Sequence, residues 1–165
     1  MSLSRISRHL LANRARVHRA FSRQAMTAIE QAITASEATH AGQIRFVVEG
    51  ALDGTPLFRN QSARDRAIDV FAQQRIWDTE QNNGVLIYLL LADRDVEIVV
   101  DRGIDRHVGP AGWEAICHMM EAHFRAGRFE QGVIAGIEAV TAHLARHFPG
   151  DDKDVNELPD APVVL

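Results

Sequence analysis

The sequence predicts an α/β protein, a three-layer α/β/α sandwich around a small mixed central sheet, with element order α-β-α-β-β-α-α. Three observations predict it. Val85–Ala92 is an eight-residue run, apolar on both faces, as suits a central strand covered by helices on each side. Stripes of apolar residues at helical spacing precede and follow it. A chain of 165 residues is long enough for one substantial core and shows neither an internal repeat nor an interdomain linker.

The elements follow in order. Ile6, Leu10, Val17 and Phe21 recur at near-helical spacing with arginines between them, and Met26, Ile29 and Ile33 continue the stripe. They predict a basic amphipathic helix to about Ser36, with room for one break. In 43–49, Ile44, Phe46 and Val48 alternate with Arg45, Val47 and Glu49, a first strand. Asp53-Gly54 and Pro56 are turn residues. Ser62 with Asp65 resembles a capping box opening a helix to about Asp78. After Asn83-Gly84 come Val85–Ala92, the short connection Asp93-Arg94-Asp95, and Val96–Val100, an antiparallel hairpin. Pro110 suits the first position of a helix carrying Trp113, Ile116, Cys117, Met120 and Phe124, which Gly127 is placed to end. A last helix carries Phe129, Val133, Ile137, Val140, Leu144 and Phe148 to Pro149-Gly150. The domain limits are 1–24, a basic amphipathic N-terminal helical extension; 25–149, the main domain; and 150–165, an acidic irregular tail.

Charge is unevenly placed. Residues 1–29 hold six arginines and no acid, whereas residues 30–149 hold 17 acids against 11 bases, within a net charge of −4. The basic segment has three readings beyond a solvated helix face: an anionic membrane surface met by residues 1–20, an acidic partner protein, or the chain's own acidic body. Nucleic acid is disfavoured, because the rest of the chain is acidic and lacks aromatic-basic interleaving. The early arginines resemble a mitochondrial presequence, but helix signals run on into the domain and no secretory h-region exists, so the cytoplasm is predicted. No apolar run reaches the ~20 residues of a membrane span. The lone Cys117 cannot form an intramolecular disulfide and falls on a core stripe. His143 and His147 share a helix face, but HLARH lacks the glutamate of a zinc protease motif. No Gly-rich phosphate loop is present.

Acids and amides gather at the hairpin's ends. Five strand residues span roughly 17 Å at ~3.3 Å each, so Asp93 and Asp95 at the tip cannot share an ion with Asp101. The tip pair reads as a solvated turn. At the other end an antiparallel pair brings Asn82 and Asn83 near Asp101 and Asp105, with Asp78 and Glu80 entering from the preceding helix. Their oxygens suit a hard cation, Ca²⁺ or Mg²⁺. Asn82, Asn83, Asp101, Asp105 and Asp78 are therefore the candidate metal ligands. The competing reading is that Asp and Asn sit at strand ends for local hydrogen bonding. If strands 43–49 and 85–92 are parallel, ligands favour their carboxyl ends, which points to Glu49 and Asp93–Asp95 instead. No catalytic residue is assigned.

NNGVLIYLLLADRDVEIVVDRGID (82–105) and AHFRAGRFEQGVIAGIEAV (122–140) together resemble the TPM domain family over about residues 25–148. The resemblance implies an α/β sandwich in agreement with the order above. It implies either acid phosphatase activity with divalent-cation binding, attributed to some members, or service as an accessory subunit of a membrane complex. Most members are exported and tethered; this sequence resembles a shorter bacterial variant without signal or anchor. The family's Asp-Asn-Gly stands here as Asn82-Asn83-Gly84, and its Gly-x-Gly-Leu-Glu ending as Asp101-Arg102-Gly103-Ile104-Asp105. An amide thus replaces one acid, while Asp101 adds another. The expectation is a TPM-type non-enzymatic interaction module for a membrane-associated complex, with cation binding open; the alternative is a divalent-cation-dependent acid phosphatase acting on phosphate monoesters. Residues 1–20 are expected to lie outside the core.

Overall fold

The computed structural model describes residues 3–11, 14–151 and 155–165. It is a mixed α/β fold with a four-stranded sheet in the order β3-β2-β1-β4. The strands are β1 (Gln43–Glu49), β2 (Gly84–Leu90), β3 (Asp95–Val100) and β4 (Val163–Val164). β1 runs parallel to both β2 and β4, and β2 and β3 form the expected antiparallel hairpin. Every residue of β2 is buried, as its uninterrupted apolar composition requires.

Alternation along the strands divides the core. Ile44, Phe46, Val48, Val85, Ile87 and Leu89 pack with α3 (Arg23–Glu37), α6 (Arg102–Arg125) and α7 (Phe129–His147). Val47, Leu86, Tyr88 and Leu90 pack instead with α4 (Gly54–Phe58) and α5 (Ala63–Gln73). No helix among the described residues is long and apolar enough to cross a membrane.

The N-terminal helical segment is described as α1 (Leu3–Leu11), α2 (Arg14–Ala20) and α3. A break falls between α2 and α3, where Ser22, extended at ψ 164°, accepts the Ala25 N–H on its Oγ and starts α3 afresh. One expectation is corrected: residues 1–20 do not all lie outside the core, because Val17 is fully buried within the main cluster beside Phe21. Ile6 is half-buried; the side chains of Leu10 and Leu11 lie outside those described.

Caps explain most helix ends. Ser62 Oγ accepts the Asp65 N–H at 3.0 Å and donates to its carboxylate at 2.7 Å, starting α5 as its sequence promises. α5 stops at Gln73, short of Asp78, because Arg75 turns left-handed at φ 54° and Ile76 N–H bonds back to Phe71 O. The same closure ends α6, where Gly127 at φ 75° lets Arg128 N–H reach His123 O. Gly109, at φ 71°, breaks α6 so that Pro110 opens its second part, and the turn before it, 102–108, is an unanticipated addition.

The tail is not wholly irregular. β4 pairs with β1, and Gln43 Oε1 accepts the Glu157 and Leu158 N–H groups at 2.8 and 2.9 Å. Arg45 donates to the carbonyls of Pro159 and Ala161. Beneath this contact, burial pushes the Glu37 carboxyl up to about 8; the Ile44 N–H opposes the shift and nearby Asp160 adds to it. Its folded-state pKa lies above the unfolded value, so the stability it lends is full below the ordinary carboxylate range. That stability is lost as pH rises through about 8. Stability should therefore fall by about 2 kcal/mol between pH 6 and 9. Glu37→Gln keeps the acceptor for Ile44 and does not titrate, so its urea midpoint should be nearly flat over that interval. A wild-type midpoint that is equally flat would refute the assignment.

Candidate functional site

The amino end of β2 is built by one crowded crossing. Asn82 sits left-handed at φ 53° with its side chain outward, and Asn83 is fully buried. Asn83 donates its backbone N–H to Thr79 Oγ1 at 3.1 Å and its side-chain amide to Ala41 O at 3.0 Å. Gly84 O accepts the Asp101 N–H at 2.9 Å, which fixes the hairpin's closed end. Gly103 lies directly against this loop: a Cβ there would meet Asn82 O at 2.2 Å.

The candidate ligands divide on this frame. Asp101 caps α6, its Oδ1 accepting the Arg102 N–H at 2.7 Å, while Oδ2 is buried with no hydrogen-bond partner. Asn83 Oδ1 is in the same condition. Asp105 follows one helical turn on, its N–H on Asp101 O, and its Oδ1 accepts the Trp113 indole N–H at 3.1 Å. Asp78 points outward and pairs with Arg75 at 2.6 Å. Glu80 takes part through its backbone, donating its N–H to Glu157. The crossing thus places Asn83 and Asp101 on adjoining segments, and turns Asp78 and the Asn82 side chain away. Among the described residues no group of three or more His, Cys, Asp or Glu could hold a metal ion.

Since β1 and β2 are parallel, their carboxyl ends also count as a ligand position. There Glu49, the last residue of β1, is buried and doubly bonded by Arg66, Nε to Oε2 at 2.8 Å and Nη2 to Oε1 at 3.1 Å. The Tyr88 hydroxyl donates to Oε2 at 2.6 Å. Burial, and then the Glu49 charge, raise the Tyr88 hydroxyl pKa far above the ordinary phenol range. The hydrogen bond to Glu49 raises that of Arg66.

Asp93 is not a solvated turn residue. Its side chain is only 13% exposed and faces the Arg5, Arg8 and His9 side chains at 2.9, 3.2 and 3.1 Å. Burial alone would raise its pKa, and the hydrogen bonds from Arg5 and His9 outweigh that and lower it. His9, itself buried, accepts the Leu52 N–H on Nδ1, so its Nε2–H donates to Asp93. Burial, then Glu97, Glu121 and Asp93, push the neighbouring Asp95 up to about 6. Of the readings open for the basic segment, the chain's own acidic body therefore accounts for Arg5 and Arg8. Sequence reasoning passed over His9; the one available signal was a run of bases with no acid of its own. Cys117 and the histidines keep their structural readings. Burial pushes the Cys117 thiol up to about 12, His147 stacks on His107 at 4.5 Å, and His143 meets the edge of Trp113.

A four-stranded mixed sheet packed by helices on both faces defines a mixed α/β domain. The TPM domain family model matches residues 17–143, and the chain belongs to that family. Two of the solved structures similar to the chain are as follows. The BA42 protein of the psychrophilic bacterium Bizionia argentinensis is 31% identical, with a TM-score of 0.77, over 88% of this chain and 95% of that one. The N-terminal domain of a protein from P. gingivalis is 21% identical, with a TM-score of 0.63, over 79% and 82%, and shares the fold. A search among curated proteins finds no match.

Proposed function

We propose that this TPM-domain protein is a non-enzymatic accessory module for a membrane-associated complex on the cytoplasmic side, with a hard-cation position at Asn83 and Asp101. The observation that carries this reading is how the acids of the crossing are occupied. Asp105 holds an indole, Asp78 holds Arg75, and Asp101 Oδ1 caps a helix, so each serves the fold.

The cation component rests on two oxygens. Asn83 Oδ1 and Asp101 Oδ2 are both buried without a hydrogen-bond partner, on adjoining segments joined by the Asp101–Gly84 hydrogen bond. Buried polar atoms are rarely left so, and amide and carboxylate oxygens are the donors that Ca²⁺ and Mg²⁺ take. An ion held there would complete its shell with water. Millimolar Ca²⁺ should then raise the melting temperature of the wild type, and Asp101→Asn should abolish most of that rise. Asparagine is as good a helix cap as aspartate, so the metal-free protein should melt within about 2 °C of wild type. An undiminished Ca²⁺ shift in Asp101→Asn would exclude the position.

The alternative is a divalent-cation-dependent acid phosphatase acting on phosphate monoesters. A panel of such esters with Mg²⁺, Ca²⁺ and Mn²⁺ separates the two: metal-dependent turnover that Asp101→Asn abolishes would replace the accessory reading. A peripheral contact with an anionic membrane through residues 1–20 would use exposed arginines, since Val17 on the apolar stripe is held in the core.

A further inference from the structure

At the carboxyl ends of β1 and β2, roughly 20 Å along β2 from the Asn83–Asp101 crossing, lies a cleft of about 550 Å³. Arg8, Arg16, Arg19 and Arg94 line it, with Asp93 as its one carboxylate among the described residues. Leu91 and Phe129 supply apolar wall. Asp93 already faces Arg5, Arg8 and His9, so it is poorly placed to balance the Arg16 and Arg94 guanidinium groups. Among the described residues neither Arg16 nor Arg94 makes an ion pair. Holding like charges around a concave space costs energy unless an anion fills it. The guanidinium fork matches the oxygens of a phosphate better than any other common anion-binding side chain. The volume is that of a small-molecule site, at the place where open α/β sheets bind ligands.

We propose that this arginine-lined cleft binds a phosphate group, most simply a diphosphate, whose attached apolar portion lies against Phe129 and Leu91. The backbone supports the assignment. Arg94 is held left-handed at φ 54° by the turn from β2 into β3, in which Arg94 N–H bonds to Leu91 O. α2 presents Arg16 and Arg19 from one helix whose Val17 is anchored in the core. The site is thus assembled from the N-terminal segment and the hairpin tip, and it is independent of the cation position.

The phosphate can come from a soluble ester or from a lipid headgroup, and the experiment has an arm for each. Inorganic pyrophosphate is titrated into the full chain by calorimetry at constant ionic strength, and sedimentation compares phosphatidic acid with phosphatidylcholine vesicles. The test variant is Arg16→Gln with Arg94→Asn. Both positions are exposed, and asparagine tolerates the left-handed backbone of residue 94. An unchanged melting temperature verifies folding, and Arg75→Gln serves as a distant charge control. We expect saturable pyrophosphate binding that weakens tenfold or more in the double variant, weakens as salt rises and is unaffected in the control. Vesicle recovery that needs phosphatidic acid and is reversed by pyrophosphate would assign the same cleft to a headgroup. Binding of neither probe, or equal affinity in wild type and double variant, would overturn the proposal.

Discussion

Replacing Arg66 with alanine is expected to lower stability by about 3–5 kcal/mol. Glu49 ends β1 with a side chain only 10% exposed, and Arg66 supplies two of its three side-chain hydrogen bonds. Without Arg66 a buried carboxylate keeps only the Tyr88 hydroxyl, which cannot replace the lost countercharge. Chemical denaturation would show a urea midpoint about 2 M lower at an unchanged slope of about 2 kcal/mol/M. Arg66→Lys should recover only part of the loss, because an ammonium cannot make the parallel pair of bonds. Arg66→Met with Glu49→Gln should recover most of it, because charge and countercharge then leave together. If the double variant is as unstable as Arg66→Ala, packing of the arginine stem rather than the stranded charge is the cause.

Gly103→Ala is expected to cost about 3 kcal/mol, a fall in melting temperature of about 5–10 °C. Helix propensity alone argues the opposite, since alanine is better than glycine inside a helix by about 1 kcal/mol. Contact decides the sign. The new Cβ would stand 2.2 Å from Asn82 O and 2.7 Å from Gln81 O, both backbone atoms that no rotamer change can move. Relief requires lifting the 81–83 loop off α6, which also disturbs the Asp101–Gly84 hydrogen bond. Gly112→Ala in the same helix meets only the Val108 side chain and should cost much less. Equal melting temperatures for the two variants would show that the loop yields easily.

The sheet was legible because its strands obey simple periods. The unbroken apolar run of β2 announced a strand covered on both sides, and the short charged connection before Val96 announced the hairpin. Gly127 and Ser62 were legible because caps are local chemistry. Long-range partners were not. Arg45 and Glu49 alternate with apolar residues, and the alternation does not tell what covers them; both are buried, one under the tail and the other under Arg66. β4 is two residues long, too short for any period to show. Asp93 reads as a turn residue because turns favour aspartate, and nothing local reveals that Arg5 and His9, more than 80 positions earlier, close over it. At the candidate cation position, chain spacing placed Asn83 beside Asp101. It could not foresee that Trp113 would claim Asp105.

The β4 pairing also bears on the order in which the fold assembles. β2 and β3 meet across a few residues, and β1 joins β2 across one crossover, but Val47 and Val163 lie 116 positions apart. Closing so long a loop before any reward is slow, so the tail is expected to join after the rate-limiting step. Interactions that form so late leave the folding rate nearly unchanged and set the unfolding rate. The tail's grip on Gln43 and Arg45 therefore governs how long the native sheet persists once formed, and has little to do with how quickly it is reached.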